Sequence, residues 1–170
     1  PATLDINAGG TDLDATGNTL STSITALNDP LVIVADNDLR VGEGADVTLT
    51  STVLQITDTE ATPAQVVYTL VQSGSALGDG VFEKYDGSVW TELTWGDSFT
   101  QDDINNNRIR YVHGGDEPLG SEVLAYTVTD DIVGDDPDAG GTTETRTLAI
   151  KVSPINDVPV LYLPGDTVDG

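Results

Sequence analysis

Two asparagine–aspartate pairs are the residues of this chain best suited to cation chemistry. Asn28-Asp29 and Asn156-Asp157 lie 128 residues apart, within the similar phrases ITALNDPLVI and VSPINDVPVL. Each pair offers an amide oxygen and a carboxylate, which belong to the oxygen ligands that calcium takes. A proline follows closely each time and restricts the preceding chain to an extended path. The spacing, which is that of a whole domain, predicts cation ligands at the two ends of one repeat.

The overall charge favours the same chemistry. The 170 residues include 22 Asp, 7 Glu and 6 basic residues, and the net charge is −23. Aspartate prefers turns, where its short carboxylate meets backbone amides or a cation. The charge argues against binding to nucleic acid or to an anionic membrane surface, and it makes a divalent cation the natural counter-charge. No membrane insertion is expected, because no apolar run is long enough. The alternative is that these acids only keep the protein soluble.

Aspartates cluster most densely in the segment DDIVGDDPDAGG at 130–141. This segment is interpreted either as a further ion site or as a mobile loop. The residues concerned are Asp131, Asp135, Asp136 and Asp138.

The chain has no cysteine, no apolar run of transmembrane length and no signal peptide. Packing, and metal if it binds, must therefore stabilise the fold without disulfides. The sequence starts at Pro1 and contains no methionine, so we expect a piece of a longer protein, and its extracellular location is an inference.

Alternation of apolar and polar residues dominates, and sustained helical periodicity is absent. Short strands separated by Gly, Asn, Asp and Pro predict an all-β sandwich. In the strand at 108–113 the alternation puts Ile109 and Tyr111 on one face and Arg108, Arg110 and Val112 on the other. In the strand at 123–129 the inward residues are expected to be Leu124, Tyr126 and Val128. The predicted strands are residues 19–27, 47–56, 66–72, 81–85, 108–113, 123–129 and 145–152.

One short helical turn is expected in SFTQDDINNN. Thr100 and Asp103 have the spacing of a capping box, with Asp103 in place of the more usual glutamate. The run of asparagines at 105–107 is expected to end the helix.

The two Asn-Asp phrases also divide the chain. Residues 1–30 are interpreted as the last hairpin of a preceding repeat plus its linker, because their order of motifs matches that of residues 125–159. The complete repeat is placed at 31–158, and residues 159–170 at the start of the next repeat or a linker. A complete unit between two partial ones predicts a tandem array, in which neighbouring repeats are partners.

Several phrases together resemble one cadherin-like repeat of the chondroitin-sulfate-proteoglycan type, as found in large bacterial RTX-type surface adhesins. The most specific of them is FTQDDINNNRIRYVHGGDE; the others are VGEG, ITDTE, VVYTL, YTVTDD and INDVP. The resemblance implies a Greek-key, cadherin-like or Ig-like β-sandwich of about seven strands, with Ca²⁺ at the joints between repeats.

The resemblance also implies which residues would hold calcium. For the C-terminal joint it points to Glu43, Asp116, Glu117, Asn156 and Asp157. For the N-terminal joint it points to Asn28, Asp29, Asp58, Glu60 and Asp130, although Glu60 replaces an aspartate of the family pattern.

No enzyme is expected. His113, the only histidine, is interpreted as a structural hydrogen-bonding residue, and no serine lies in a nucleophile-elbow pattern. The acidic pairs Asp102–Asp103 and Asp116–Glu117 could in principle serve glycoside hydrolysis. A small sandwich, however, offers no evident cleft for a sugar chain.

The leading hypothesis is a structural extender module of an extracellular bacterial adhesin, stiffened by calcium. The alternative is a recognition module that binds a glycan or a cell-surface protein. In that case Trp90 and Trp95, which fall in the hairpin-like stretch VFEKYDGSVWTELTWGDSF, would form the contact surface.

Overall fold

In the computed structural model, residues 29–116, 121–130 and 144–156 are described. They form short strands and one short helix, so the expected all-β class is confirmed. The elements are β1 Val32–Asp36, β2 Leu39–Gly42, β3 Asp46–Thr48, β4 Leu54–Thr57, β5 Val66–Ala76, β6 Val81–Tyr85, β7 Trp90–Glu92, β8 Ser98–Thr100, α1 Gln101–Asn105, β9 Ile109–Val112, β10 Glu122–Asp130 and β11 Glu144–Ser153.

These strands build two main sheets. One has the order β2-β11-β10-β5-β8, and the other has the order β3-β9-β6-β7. The chain crosses between them repeatedly, and β2 pairs in parallel with the last strand, β11. Strand β1 pairs with β4 in a separate two-stranded sheet. This is a β-sandwich with crossover connections, as predicted.

The core lies between the sheets and follows the alternation along each strand. In β9, Ile109 and Tyr111 share a face, as predicted, and the structure shows that this face is the buried one. In β10 the inward residues include Leu124, Tyr126 and Val128, as predicted. The aromatic rings interlock: Tyr68 stacks on Phe99 with ring centroids 5.1 Å apart. Offset and tilted ring pairs of this kind add to the free energy gained from burying apolar area.

The predicted helical turn is confirmed, including its cap. The Thr100 side chain accepts a hydrogen bond from the Asp103 N–H, and the Asp103 side chain accepts one from the Thr100 N–H. Asn106 is the C-cap, and Asn107 has a φ of 57°, a left-handed conformation that asparagine tolerates. Gln101 ties the helix to the core by accepting hydrogen bonds from Ile56 N–H and Tyr68 O–H.

The number of strands exceeds the expected seven for a local reason. The predicted strand 47–56 is broken by a turn in which Val53 N–H donates to the Thr50 carbonyl, and its halves, β3 and β4, join different sheets. Strands β1, β2, β7 and β8 were not predicted because each is short and lacks a long alternating pattern. The predicted strand 19–27 lies outside the described residues, and the proposed domain boundaries stay a prediction.

Strand β10 defines the long axis of the domain. Its nine residues place Glu122 and Asp130 about 27 Å apart at the usual rise per residue. Glu122 is opposite Ile150, at the end where the chain leaves through Ser153. Asp130 is opposite Val66, at the end where β1 begins beside Thr57. The two ends therefore correspond to the C-terminal and N-terminal joints expected from the sequence.

Candidate metal-binding ends of the domain

Glu43 is the best-anchored acid at the C-terminal end. It follows β2, is only 6% exposed, and its backbone N–H donates to the Ser153 carbonyl at 3.0 Å. Its Oε2 accepts a hydrogen bond from the Ile155 N–H at 2.8 Å. Because Asn156 comes next along the chain, the structure brings Glu43 close to the exit segment, as the resemblance implied.

Asp116 reaches the same end through a second loop. The loops that carry Glu43 and Asp116 touch at two glycines: a Cβ on Gly44 would lie 3.8 Å from the Cα of Gly115. Both glycines have left-handed backbones, with φ of 66° and 108°. These backbone conformations, not a lack of space, favour glycine at both positions, and the contact places two of the expected ligand-bearing segments side by side.

A buried polar network lies beneath these loops. His113 has a side chain that is 0% exposed, and its Nε2 lies 3.3 Å from Asp79 Oδ1 and 3.5 Å from Glu122 Oε1. Tyr111 donates its hydroxyl hydrogen to Glu122 Oε2. Within the described part of the chain, Asp79, His113 and Glu122 are the one group of three metal-ligating side chains whose ligand atoms all lie within 4.8 Å.

The hydrogen bonds at the other ring nitrogen decide what this network can do. His113 Nδ1 accepts from the Gly44 N–H at 3.3 Å and from the Gly115 N–H at 3.2 Å. A neutral ring that accepts at Nδ1 carries its hydrogen on Nε2, which is buried near both carboxylates but has no well-formed hydrogen bond within the described residues. A metal on Nε2 would move that hydrogen to Nδ1, where it would face two donors. The network therefore fits a structural role for His113 and does not fit a metal bound through the imidazole.

The two carboxyl groups of the network differ in pKa. The hydrogen bond from the Asp116 N–H holds the pKa of Asp79 below its ordinary value. Burial raises the pKa of Glu122, although the Tyr111 hydroxyl opposes that rise. Burial together with the Glu122 carboxylate also raises the pKa of Tyr111, so its hydroxyl stays a donor.

Neither Asp79 nor Glu122 was among the residues singled out from the sequence. A signal existed for Glu122, because it has the same parity along β10 as Leu124 and Tyr126 and must therefore point inward. For Asp79 the only signal was its position between two glycines, which indicates a turn and gives no partner.

The N-terminal end gathers a second set of acids. Asp29 N–H donates to Glu60 Oε2 at 3.2 Å, so the entering chain contacts the loop after β4. In that loop Asp58 Oδ1 accepts from Glu60 N–H at 2.8 Å and from Ala61 N–H at 2.7 Å. Asp58 and Val66 line one small cavity, and Val66 is the register partner of Asp130. Four of the expected ligands are thus at one end.

One carboxylate oxygen of Asp58 accepts no hydrogen bond from the described residues. This oxygen, Oδ2, is buried. A buried carboxylate oxygen without a donor or cation is costly. The donor set here, consisting of carboxylate oxygens only, suits a hard cation such as calcium.

Three expected ligands lie outside the described residues: Asn28, Glu117 and Asp157. The acidic segment of Asp131, Asp135, Asp136 and Asp138 lies outside them too. The structure leaves their assignments as predictions.

The two tryptophans have different surroundings. The Arg110 guanidinium lies 4.3 Å from the centre of the Trp90 ring, and Tyr85 packs against the same ring at 5.2 Å. Arg110 is itself held by Glu83, with an N–O distance of 2.6 Å. Trp95, in the turn before β8, is 44% exposed. Trp90 is thus engaged in packing, whereas Trp95 presents its ring to solvent.

The described residues define a β-sandwich module with acidic residues at both ends. Residues 30–150 match the family model described as cadherin-like, and the chain belongs to the cadherin-like family. The helix in the described part of the chain is far too short to cross a bilayer.

Two curated animal proteins are similar to this chain. Extracellular matrix protein 3 of Lytechinus variegatus is 31% identical over 93 residues, which is 55% of this chain and 3% of that protein. Extracellular matrix organizing protein FRAS1 of Homo sapiens is 27% identical over 155 residues, which is 88% of this chain and 4% of that protein. The chain therefore spans only a few per cent of the length of these relatives.

Proposed function

We propose that this chain is an extender module of a large extracellular adhesion protein, in which calcium at both ends joins it stiffly to neighbouring repeats. The cadherin-like family and the names of the two matrix proteins support an extracellular structural role. The finer setting of the proposal is a bacterial RTX-type surface adhesin, with a part in cell adhesion and biofilm formation. This finer setting rests on the motif resemblance alone. The module turns over no substrate.

The observation that carries the calcium proposal is the orphaned Oδ2 of Asp58. The other oxygen of that carboxylate is already used by two backbone N–H groups, so its orientation is set by the turn. A buried carboxylate oxygen of fixed orientation, at the end of the domain where Asp29 and Glu60 also lie, is a suitable ligand for a calcium ion.

At each end the residues have distinct tasks. Asp58 and Glu60 hold the loop after β4 against the entering chain at Asp29. Glu43 holds the exit segment before Asn156. Calcium, when bound, supplies the positive charge that lets these acids lie close together. Without it the acids repel, and the segments that lead to the next repeat loosen.

The proposal is tested by thermal unfolding of the whole chain in EDTA and across a calcium titration, with magnesium as the control ion. We expect the melting temperature to rise by several degrees or more with calcium and far less with magnesium. A flat calcium titration would contradict the proposal.

Asp58→Asn is the decisive variant. It keeps the Oδ1 acceptor of the turn and removes one ligand charge, so the calcium response should fall while stability in EDTA stays close to that of the wild type. Asp86→Asn is the matched control, because Asp86 Oδ1 accepts from Ser88 N–H and Val89 N–H in the same type of turn between β6 and β7. Equal calcium responses in the two variants would exclude Asp58 as a ligand.

A recognition module is the second candidate, and the exposed ring of Trp95 is the observation that favours it. Sugar rings stack on exposed aromatic faces, so a glycan or protein partner would contact the turn before β8. A glycan array probed with the wild type and with Trp95→Ala tests this role. Binding that disappears in the variant would support it, and the absence of any bound glycan would leave the extender role alone.

A further inference from the structure

We infer that His113, together with Asp79, is the positioning device of the C-terminal joint: it holds the two loops that carry Glu43 and Asp116 in the arrangement that calcium requires. The inference rests on the proposed function and deepens it, because neither residue is proposed as a calcium ligand. It assigns a task to the largely buried polar network around His113.

Two backbone N–H groups, one from each loop, donate hydrogen bonds to His113 Nδ1. Gly44 directly follows Glu43, and Gly115 directly precedes Asp116. Both N–H groups converge on the single acceptor His113 Nδ1, at 3.3 and 3.2 Å. One imidazole thus fixes the backbone next to both acids, although the two loops are far apart in sequence.

The other nitrogen of the His113 ring, Nε2, lies close to two carboxylates. His113 Nε2 lies 3.3 Å from Asp79 Oδ1 and 3.5 Å from Glu122 Oε1 without a well-formed hydrogen bond to either, so burial of the ring and the attraction of its N–H for the two carboxylates keep Nδ1 facing the loops. Asp79 also reaches the loop directly, because its Oδ2 accepts from the Asp116 N–H at 2.9 Å. The backbone at Asp116 is therefore held by two hydrogen bonds, one from its own N–H to Asp79 and one from the Gly115 N–H to His113.

Three glycines leave the space that the side chains of the network occupy. A Cβ on Gly78 would lie 2.8 Å from Glu122 Oε1, and one on Gly114 would lie 2.9 Å from Asp79 Cγ. A Cβ on Gly80 would overlap the Tyr111 ring. A side chain at any of these three positions would therefore displace a member of the network.

The same geometry argues against His113 as a ligand of a transition metal. A metal on Nε2 requires a hydrogen on Nδ1, and Nδ1 is occupied by two donors. A positioning role agrees with the two hydrogen bonds at Nδ1 and with a hydrogen on Nε2, where the N–H lies near the two carboxylates.

The test uses hydrogen exchange and a calcium titration, both followed by NMR on the whole chain. In EDTA, His113→Leu should speed amide exchange at Gly44 and Gly115 by tenfold or more, whereas His113→Asn, whose amide oxygen can take the place of Nδ1, should retain much of the protection. Asp79→Ala should speed exchange most at Asp116, which loses its acceptor, and less at Gly44 and Gly115, because Glu122 still lies beside the ring. Asp97→Ala is the control, because Asp97 accepts from Thr94 N–H in a distant turn.

The calcium readout is made in an Asp58→Asn background, so that the N-terminal end does not contribute. The shifts of the Gly115 and Asp116 amides report the C-terminal site. We expect His113→Leu and Asp79→Ala to weaken calcium there by about tenfold or more, the effect typical of losing a residue that orients metal ligands. Asp97→Ala should leave the affinity unchanged.

The outcomes separate this inference from the proposed function. If the wild type binds no calcium, the proposed function fails, and the exchange rates in EDTA still test whether His113 holds the loops. If calcium binds but both variants bind it as the wild type does, the inference is overturned. It is also overturned if the nitrogen shifts of His113 show the hydrogen on Nδ1. Should His113→Leu fail to fold, Asp79→Ala still decides, because the Asp79 side chain is partly exposed.

Discussion

Glu43 Oε2 accepts a hydrogen bond from the Ile155 N–H at 2.8 Å across 112 residues of sequence. This bond joins the end of β2 to the segment through which the chain leaves the domain. Glu43 is also an expected calcium ligand. One buried carboxylate would therefore hold the exit segment against the domain and help to bind the ion at the C-terminal joint.

The two tasks of Glu43 can be separated by substitution. Glu43→Gln keeps an acceptor for the Ile155 N–H, whereas Glu43→Ala leaves that N–H without one. We expect the alanine variant to lose about 1–3 kcal/mol in the free energy of unfolding in EDTA, and the glutamine variant to lose clearly less. Urea unfolding of both in EDTA, followed by calcium titration, is the measurement.

Both variants should show a weaker calcium response than the wild type, since both remove the charge. Equal losses of stability in EDTA for glutamine and alanine would show that the hydrogen bond to Ile155 contributes nothing.

Burial of Glu122 makes stability depend on pH in a defined direction. The pKa of this carboxyl group is raised above 4.5 in the fold, so its contribution is fully present below its unfolded pKa and is lost as the pH rises through its folded pKa. Glu122→Gln keeps an acceptor for the Tyr111 hydroxyl and does not ionise. We therefore expect this variant to lack the decline that begins near pH 4.5, when unfolding is measured in EDTA from pH 4 to 8.

Glu92→Gln, at an exposed position on β7, is the control for that experiment and should keep the wild-type profile. A Glu122→Gln profile that still declines as the wild type does would contradict the assignment of the decline to Glu122.

Asp103 should act in the opposite direction at lower pH. Burial alone would raise its pKa, but hydrogen bonds from Lys84 and Thr100 outweigh burial and hold the pKa below its ordinary value. Stability should thus fall as the pH drops through the folded pKa of Asp103, below about 4. Asp103→Asn should weaken this acid-induced loss in the range of pH 2 to 4, and an unchanged acid limb would contradict it.

The capping box of the helix offers a sharper local test. Thr100→Ala removes the side-chain acceptor for the Asp103 N–H, and we expect it to cost about 1 kcal/mol in the free energy of unfolding. Thr100→Ser keeps the hydroxyl and should cost much less. A serine variant as unstable as the alanine variant would point to the lost methyl group, not the cap.

Trp90 and Arg110 should be energetically coupled. Arg110→Lys keeps the charge but loses the planar contact with the ring and the paired hydrogen bonds to Glu83. We expect a double-mutant cycle of Arg110→Lys with Trp90→Leu to give a coupling of about 0.5–1 kcal/mol. The same cycle made with Trp95→Leu should give a coupling near zero.

Much of the strand layout was predictable because alternation is a local property. The predicted strand 81–85 coincides with β6, and those at 108–113 and 123–129 differ from β9 and β10 by a residue or so at each end. The helix cap was predictable for the same reason, since Thr100 and Asp103 interact within one turn. Short edge strands such as β7 and β8 were not, because three residues carry too little pattern and their pairing comes from distant partners.

What the amino-acid sequence determined by itself was the alternation that makes a sandwich, the turn residues, and the excess of aspartate that favours a cation. Only the tertiary structure decided that Asp79 and Glu122 flank His113, that one ring holds the loops of Glu43 and Asp116, and that Asp58 keeps an oxygen without a partner. The physical reason is that strand order and crossovers between sheets bring distant loops to the same end of the domain. No spacing along the chain encodes which loops meet there.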